Sequence, residues 1–248
     1  MDTEFVTLRL LLVVPAASLR TLLRQGAGLA SVPVEVLEAD NIAAAESHLA
    51  GGSDLLVMDG AVPTQERGVI CKAARGCKER PLIIIVGGDD DETDFDGRIR
   101  RPTTAEEAAT ILECCVRARL PTRALIIDDS VTMRGIVRKI LGACRFPVQV
   151  SETNDGMKAL EDLGSGKFDI VFLDCNMPGV DGFALLSELR RLKPRVAVVM
   201  MTSTGDLAIA ARAYAGGAAA FLKKPFFPAD VDRVLYDFHG IEAPGANR

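Results

Sequence analysis

Four short apolar runs in the second half of the sequence each lead into residues that can handle phosphate or a hard cation. Asp128-Asp129 follow the run 124–127, Asp174 follows 169–173, Thr202-Ser203 follow 196–201, and Lys223-Lys224-Pro225 follow 219–222. If these runs are parallel strands, the groups converge on one rim, because ligand sites of open α/β sheets lie beyond the carboxyl ends of the strands, where the strand order reverses. Three carboxylates within ~4–6 Å of one another repel by several kcal/mol and raise the pKa of one of them unless a cation joins them. Oxygen donors with no His or Cys nearby favour Mg²⁺, or Mn²⁺, over zinc, and Mg²⁺ keeps waters and shares phosphate ligands. The chemistry indicated is phosphoryl binding or transfer beside a divalent ion. Singly, each group has a plainer role: Asp128 or Asp129 as a helix N-cap, Thr202 as a cap, Asn176 as a turn residue, Lys224 as a solvated charge. Their recurrence at four strand ends outweighs those readings.

The elements that would position these groups follow from periodicity. Near-continuous apolar runs suit strands covered on both faces. Met133, Ile136, Val137, Ile140 and Leu141 recur at helical spacing, as do Val231, Val234, Leu235 and Phe238. Strands alternating with helices predict an α/β fold, a doubly wound parallel sheet of five strands with right-handed crossovers. The motif region also has a twin. Asp54-Leu-Leu-Val-Met-Asp59-Gly-Ala-Val-Pro63 lies over Asp169-Ile-Val-Phe-Leu-Asp174-Cys-Asn-Met-Pro178 at an offset of 115, and Val13-Val14-Pro15 through Arg20 lies over Ile127-Asp128-Asp129 through Arg134 at 114. Two homologous domains are therefore expected, residues 1–120 and 121–248, which suits a length of 248 at about 150 residues per domain. The boundary is set at Leu120-Pro121-Thr122. There a helix carrying Ala108, Ile111, Leu112 and Cys115, and opened by Thr103 or Thr104 with Glu106 or Glu107 as a capping box, meets a proline.

Composition narrows the function. With 48% apolar and 25% charged residues the chain can bury a full core, and 29 basic against 34 acidic residues leave a net charge of −5. No positive field is available for nucleic acid or an anionic membrane. Six cysteines (71, 77, 114, 115, 144, 175) lack regular spacing and read as reduced, cytoplasmic thiols, and His48 and His239 sit at no zinc-like spacing. Leu10–Val14, preceded by Asp2, Glu4 and a single Arg, reads as a strand rather than a signal peptide, and no run approaches the ~18 apolar residues of a membrane span.

The segments Ile-Ile-Asp128-Asp129-Ser, Leu-Asp174-Cys-Asn-Met-Pro-Gly-Val-Asp181-Gly182, Met-Met-Thr202 and Phe221-Leu-Lys-Lys224-Pro225-Phe226 give residues 122–240 their identity. This half resembles the receiver domain of two-component response regulators, particularly the single-domain chemotaxis regulator. The resemblance implies a flavodoxin-like fold in which Asp174 is the phosphoacceptor. Asp129, Asp174 and the Asn176 carbonyl would ligate Mg²⁺ directly, with Asp128 contributing through the acidic pocket. Thr202 and Lys224 would bind phosphoryl oxygens. The family's lysine directly precedes proline, so Lys224 carries over, and Lys223, one step along a strand, should face away. Thr202 and Phe221 would form the switch, although a plain core aromatic is an equal reading of Phe221. The Lys224-Pro225 bond is expected in the cis form. The implied phosphoryl donor is a histidine kinase or histidine phosphotransfer protein, and the output a downstream protein target.

Residues 1–118 resemble a degraded second receiver. Val14-Pro15 replace the acidic pair, Gly87 the hydroxyl and Arg101 the lysine, while Asp59 survives. Asp59 without a metal-binding pair should not be phosphorylated efficiently, which suggests a pseudo-receiver with a structural, dimerising or docking role. A homodimer and a receiver–receiver contact within the chain are both left open. Only 15 positions separate Val86 from Arg101, against 23 from Met201 to Lys224, so a full fourth helix barely fits. The acidic run 89–96 there fits a calcium loop at Glu92, Asp94 and Asp96 but fails at its twelfth position, Thr103. A solvated acidic loop against Arg98, Arg100 and Arg101 is expected instead. An Asp-nucleophile phosphatase would need a second acid where Asn176 stands, so no turnover enzyme is expected. The expected protein is a tandem receiver with no output domain after residue 240, acting by protein contact or as a phosphorelay intermediate. The alternative is the input half of a larger regulator such as a nucleotide cyclase.

Overall fold

Continuous apolar runs form the inner strands of two five-stranded, all-parallel sheets. A computed structural model of the chain describes residues 7–88, 94–164, 166–177, 180–192, 195–204 and 206–245. It divides into a first unit, Met1–Leu120 with His239–Arg248, and a second, Pro121–Phe238. The last ten residues thus group with the first unit.

In the first unit β1 (Leu8–Val13), β2 (Val34–Glu38), β3 (Leu55–Asp59), β4 (Leu82–Val86) and β5 (Gly97–Ile99) are laid down in the order β2-β1-β3-β4-β5. They alternate with α1 (Ala17–Ala27), α2 (Ile42–Ala50) and α3 (Thr64–Gly76), and α4 (Ala105–Arg119) follows β5. Every residue of β3 and β4 is buried, as two-sided cover demands, while β2 at the edge has no fully buried residue. Thr104 caps α4 by accepting from Glu107 N at 3.2 Å, and the Glu107 carboxylate reaches back to the Thr103 amide at 2.8 Å, a capping box shifted by one residue.

The second unit repeats this topology. β6 (Thr122–Ile127), β7 (Val148–Thr153), β8 (Ile170–Asp174), β11 (Ala197–Thr202) and β12 (Ala220–Lys223) stand in the order β7-β6-β8-β11-β12, and a short hairpin of β9 (Asn176–Met177) and β10 (Val180–Asp181) follows β8. The helices are α5 (Val131–Gly142), α6 (Gly156–Gly164), α7 (Gly182–Leu192), α8 (Leu207–Ala215) and α9 (Pro228–His239). In both sheets the first strand lies between the second and third, so the order reverses there, and the third strand ends on an Asp. No helix among the described residues is long and apolar enough to cross a membrane.

Two features of the first unit depart from the sequence reading. The acidic run is not a wholly solvated loop. Residues 89–93 lie outside the described residues, but Phe95 is 1% and Asp96 5% exposed. Phe95 joins the core, and the neighbouring carboxylate, drawn inside, must find partners. Asp96 takes the Ile83 amide of β4 at 2.8 Å and Arg75 at 2.8 Å, while Arg98, of the expected basic cluster, lies over the Phe95 ring at 5.3 Å. The second feature is the edge of β5. Arg98 and Glu242 exchange two backbone hydrogen bonds, 2.8 and 2.9 Å, as an antiparallel pair. Any side chain at Gly97 would collide with buried Ile241.

Candidate metal and phosphoryl site

The rim of the second sheet gathers the groups anticipated from the strand ends. Asp128 follows β6 and is fully buried, Asp174 closes β8 and is 6% exposed, and Asp129 is exposed. One carboxylate oxygen from each of the three lies within 4.8 Å of the others, and no other trio of metal-ligating side chains is so placed among the described residues. The donor set is all oxygen, which fits Mg²⁺. Capping does not consume the acids. Ser130 caps α5 through Met133 N at 3.3 Å, and Asp128 accepts from Ser130 N at 2.9 Å with one oxygen, leaving the other for the rim.

Lys224 supplies the cation. Its Nζ stands 2.8 Å from Asp128 Oδ2 and 3.1 Å from Asp174 Oδ1, bridging the two buried acids, while Lys223 is exposed. The Lys224-Pro225 peptide is cis, and the Lys224 amide donates to Thr202 O at 2.7 Å, tying β12 to the end of β11. Burial holds the Asp174 carboxyl above the usual range; Lys224 opposes this and Asp128 adds to it. For Lys224 burial is the largest influence and pulls downward, but the hydrogen bond to Asp128 and the pull of Asp174 together carry it above the ordinary lysine value. Both shifts describe the same geometry: two acids and one ammonium enclosed together, an arrangement short of positive charge.

The remaining positions fall as follows. The Asn176 backbone N–H donates to the Asp174 carboxylate, and the Asn176 side chain is exposed. Pro178 and Gly179 of the motif lie outside the described residues. Thr202 is fully buried, with its hydroxyl 3.2 Å from Thr204 Oγ1 and accepting from Thr204 N at 3.2 Å. Phe221 is half-buried and packs on the core cluster that contains Leu173 and Met200. A cleft of about 420 Å³ adjoins the rim, with Met133, Ile136, Ile140 and Phe226 along its apolar wall.

Three residues escaped the sequence reading. Gly182 opens α7 so close to Asp174 O and Cys175 Cα that a Cβ has no room, a constraint its place in the motif hinted at. Thr204 engages the hydroxyl of Thr202, and Cys175, beside Asp174, has its thiol pushed up to about 11, chiefly by burial and then by the Asp174 charge. Nothing in local spacing marks those two.

The equivalent rim of the first unit is closed. Asp59 ends β3 with no exposure, and its Oδ1 pairs with the Arg101 guanidinium and accepts from Ala61 N at 3.0 Å. Asp59 Oδ2 is buried with no hydrogen-bond partner among the described residues. Gly60 packs on Gly87 and Gly88, with a Cβ position only 2.9 Å from their backbone atoms, and Gly87 has φ +64°, where glycine is favoured. Val14 is buried and Pro15 exposed.

Comparison with known proteins agrees with this geometry. Residues 124–235 match the response regulator receiver domain model. The chemotaxis protein CheY of Listeria monocytogenes is 34% identical over 113 residues, 46% of this chain and 92% of that protein. The DNA-binding transcriptional regulator NtrC of Escherichia coli K12 is 34% identical over 110 residues, 44% of this chain but only 22% of its own length, so this chain spans about a fifth of that relative. Among solved structures, one described as a probable two-component system response regulator/GGDEF domain protein superposes with a TM-score of 0.53 at 20% identity, covering 93% of this chain and 99% of its own, a likeness of fold across both units. The match to a family model through the site-bearing residues, and to CheY over nearly its full length, mean that the chain belongs to the response regulator receiver domain family.

Proposed function

We propose that the second unit is a phosphoaccepting receiver, with Asp174 as the acceptor, and that the first unit is a pseudo-receiver silent toward phosphoryl donors. The observation that carries this reading is the bridge from Lys224 to Asp128 and Asp174, with Asp129 within reach of the same volume. An Asp174 oxygen forms the new O–P bond as the N–P bond of a phosphohistidine breaks, or the acyl O–P bond of a small donor such as acetyl phosphate. The imidazole or acetate departs with the bonding pair. Asp128, Asp129, Asp174 and the Asn176 carbonyl would hold Mg²⁺, which when bound neutralises charge on the phosphoryl oxygens. Lys224, already turned inward, is positioned to pair with one of those oxygens.

An aspartyl phosphate puts up to two negative charges where the Asp174 carboxylate carried one, beside Asp128 and Asp129. The Thr202 hydroxyl must then leave Thr204 to donate to the new group, and Phe221, against the core beside it, is the aromatic able to follow. We assign these two the switch and, as outcome, an altered surface read by a downstream protein. The donor is a histidine kinase or a histidine phosphotransfer protein in a cytoplasmic setting. Asn176 stands where a phosphatase of this type needs an acid, which supports signalling without turnover.

The test is acetyl phosphate with Mg²⁺ followed by Phos-tag migration and mass spectrometry. Wild type and Asp59→Asn should gain one phosphoryl group and Asp174→Asn none. A modified Asp174→Asn chain refutes the assignment.

A further inference from the structure

Beneath the acidic pair lies a cation the reaction does not use. Arg134 on α5 places Nη1 2.7 Å from Asp128 O and 3.3 Å from Asp129 O, and its Nε lies 3.3 Å from Glu152 Oε2 on β7. Arg138 holds the other oxygen of Glu152 at 2.9 Å. The planar fork of an arginine can grip backbone carbonyls with one nitrogen and a carboxylate with another, which a lysine's single ammonium cannot do. A guanidinium against the backbone of the acidic pair would also repel a divalent ion, and Glu152 offsets that charge. The first unit has the same arrangement: Arg20 lies 3.3 Å from Val14 O and 3.5 Å from Glu38, and Arg24 3.6 Å from Glu38. There it grips a loop without acids, and it also pairs with Asp40 at 2.9 Å.

We infer that Arg134 is a positioning residue for the metal-binding pair, holding the Asp128–Asp129 backbone so that both carboxylates start beside Asp174. The inference rests on the function proposed above. The twin network supplies the control for a merely structural role, because Arg20 makes comparable contacts where no metal pair exists.

The experiment is Mn²⁺ titration of the full chain, followed by EPR of the free ion, on wild type, Arg134→Lys, Arg134→Ala and Arg20→Ala, with thermal unfolding of each. Arg134→Lys and Arg134→Ala should weaken Mn²⁺ binding about tenfold, the scale of lost outer-shell support. Arg20→Ala should leave affinity unchanged, and acetyl phosphate labelling of Arg134→Lys should recover as Mg²⁺ is raised. If Arg134→Ala does not fold, Arg134→Lys decides. Wild-type affinity in a folded Arg134→Lys chain, or equal weakening in Arg20→Ala, overturns the inference and leaves Asp174 as acceptor. A wild-type chain that neither binds Mn²⁺ nor accepts phosphate overturns both.

Discussion

The two units end the third strand of their sheets on the same residue and answer its charge differently. In the second unit a lysine stretches between two acids, and a third acid is near enough to share a metal. In the first unit a guanidinium lies directly on fully buried Asp59, and Gly60 beside it packs against the backbone of Gly87 and Gly88. One rim has more negative charge than its own cation balances and so has use for an added one. The other carries a built-in counter-charge and has none. Identical topology therefore does not fix the charge at the rim, and what separates the units there is the number of carboxylates per cation at one end of one sheet.

The comparison breaks most severely if the second rim loses an acid. Asp128→Asn should remove one of the two charged partners of Lys224 and one carboxylate of the trio, and lower acetyl phosphate labelling at fixed Mg²⁺ by at least tenfold; labelling at the wild-type rate would mean the acidic pair is dispensable. In the first unit the matching change is Arg101→Ala. It leaves a fully buried carboxylate with no counter-charge, at a cost of about 2–4 kcal/mol, discounted because Arg101 itself is half-exposed. Urea unfolding measures this loss. Asp59→Asn should cost about 1 kcal/mol or less, since the stranded Arg101 can turn to water. If the two cost the same, the pair is not a buried lock. Smaller still is a chemical reporter of the first unit. Burial pushes the Cys115 thiol up to about 12. Below that pH it stays almost wholly protonated, so at pH 7 and at pH 9 alike it should alkylate far more slowly in the native chain than a thiol of ordinary pKa. In Arg101→Ala, Cys115 should label at lower urea than in wild type.

Much of this arrangement was readable in the residues. Strand ends carry their chemistry in sequence, because a parallel sheet delivers consecutive strand termini to one edge whatever the loops do. The choice of Lys224 over Lys223 came from the resemblance, whose lysine directly precedes proline, and the two-residue period of a strand then turned Lys223 away. What could not be read depends on distant partners. Asp96 went inside because Phe95 beside it joins the core, and its partners, Ile83 and Arg75, lie 13 and 21 positions away. Ser130 took the capping role that Asp128 or Asp129 had equal claim to, a competition decided by where β6 stops. Arg134 contacts backbone carbonyls, which leave no side-chain signature to match.

The pairing of Glu242 with Arg98 closes an edge of the first sheet with residues that leave the ribosome about 140 positions after that edge does. A nascent chain normally completes its amino-terminal domain first. Here the first unit must wait, its β5 edge exposed, until all of the second has been synthesised, so the order of translation and the order of completion run in opposite directions.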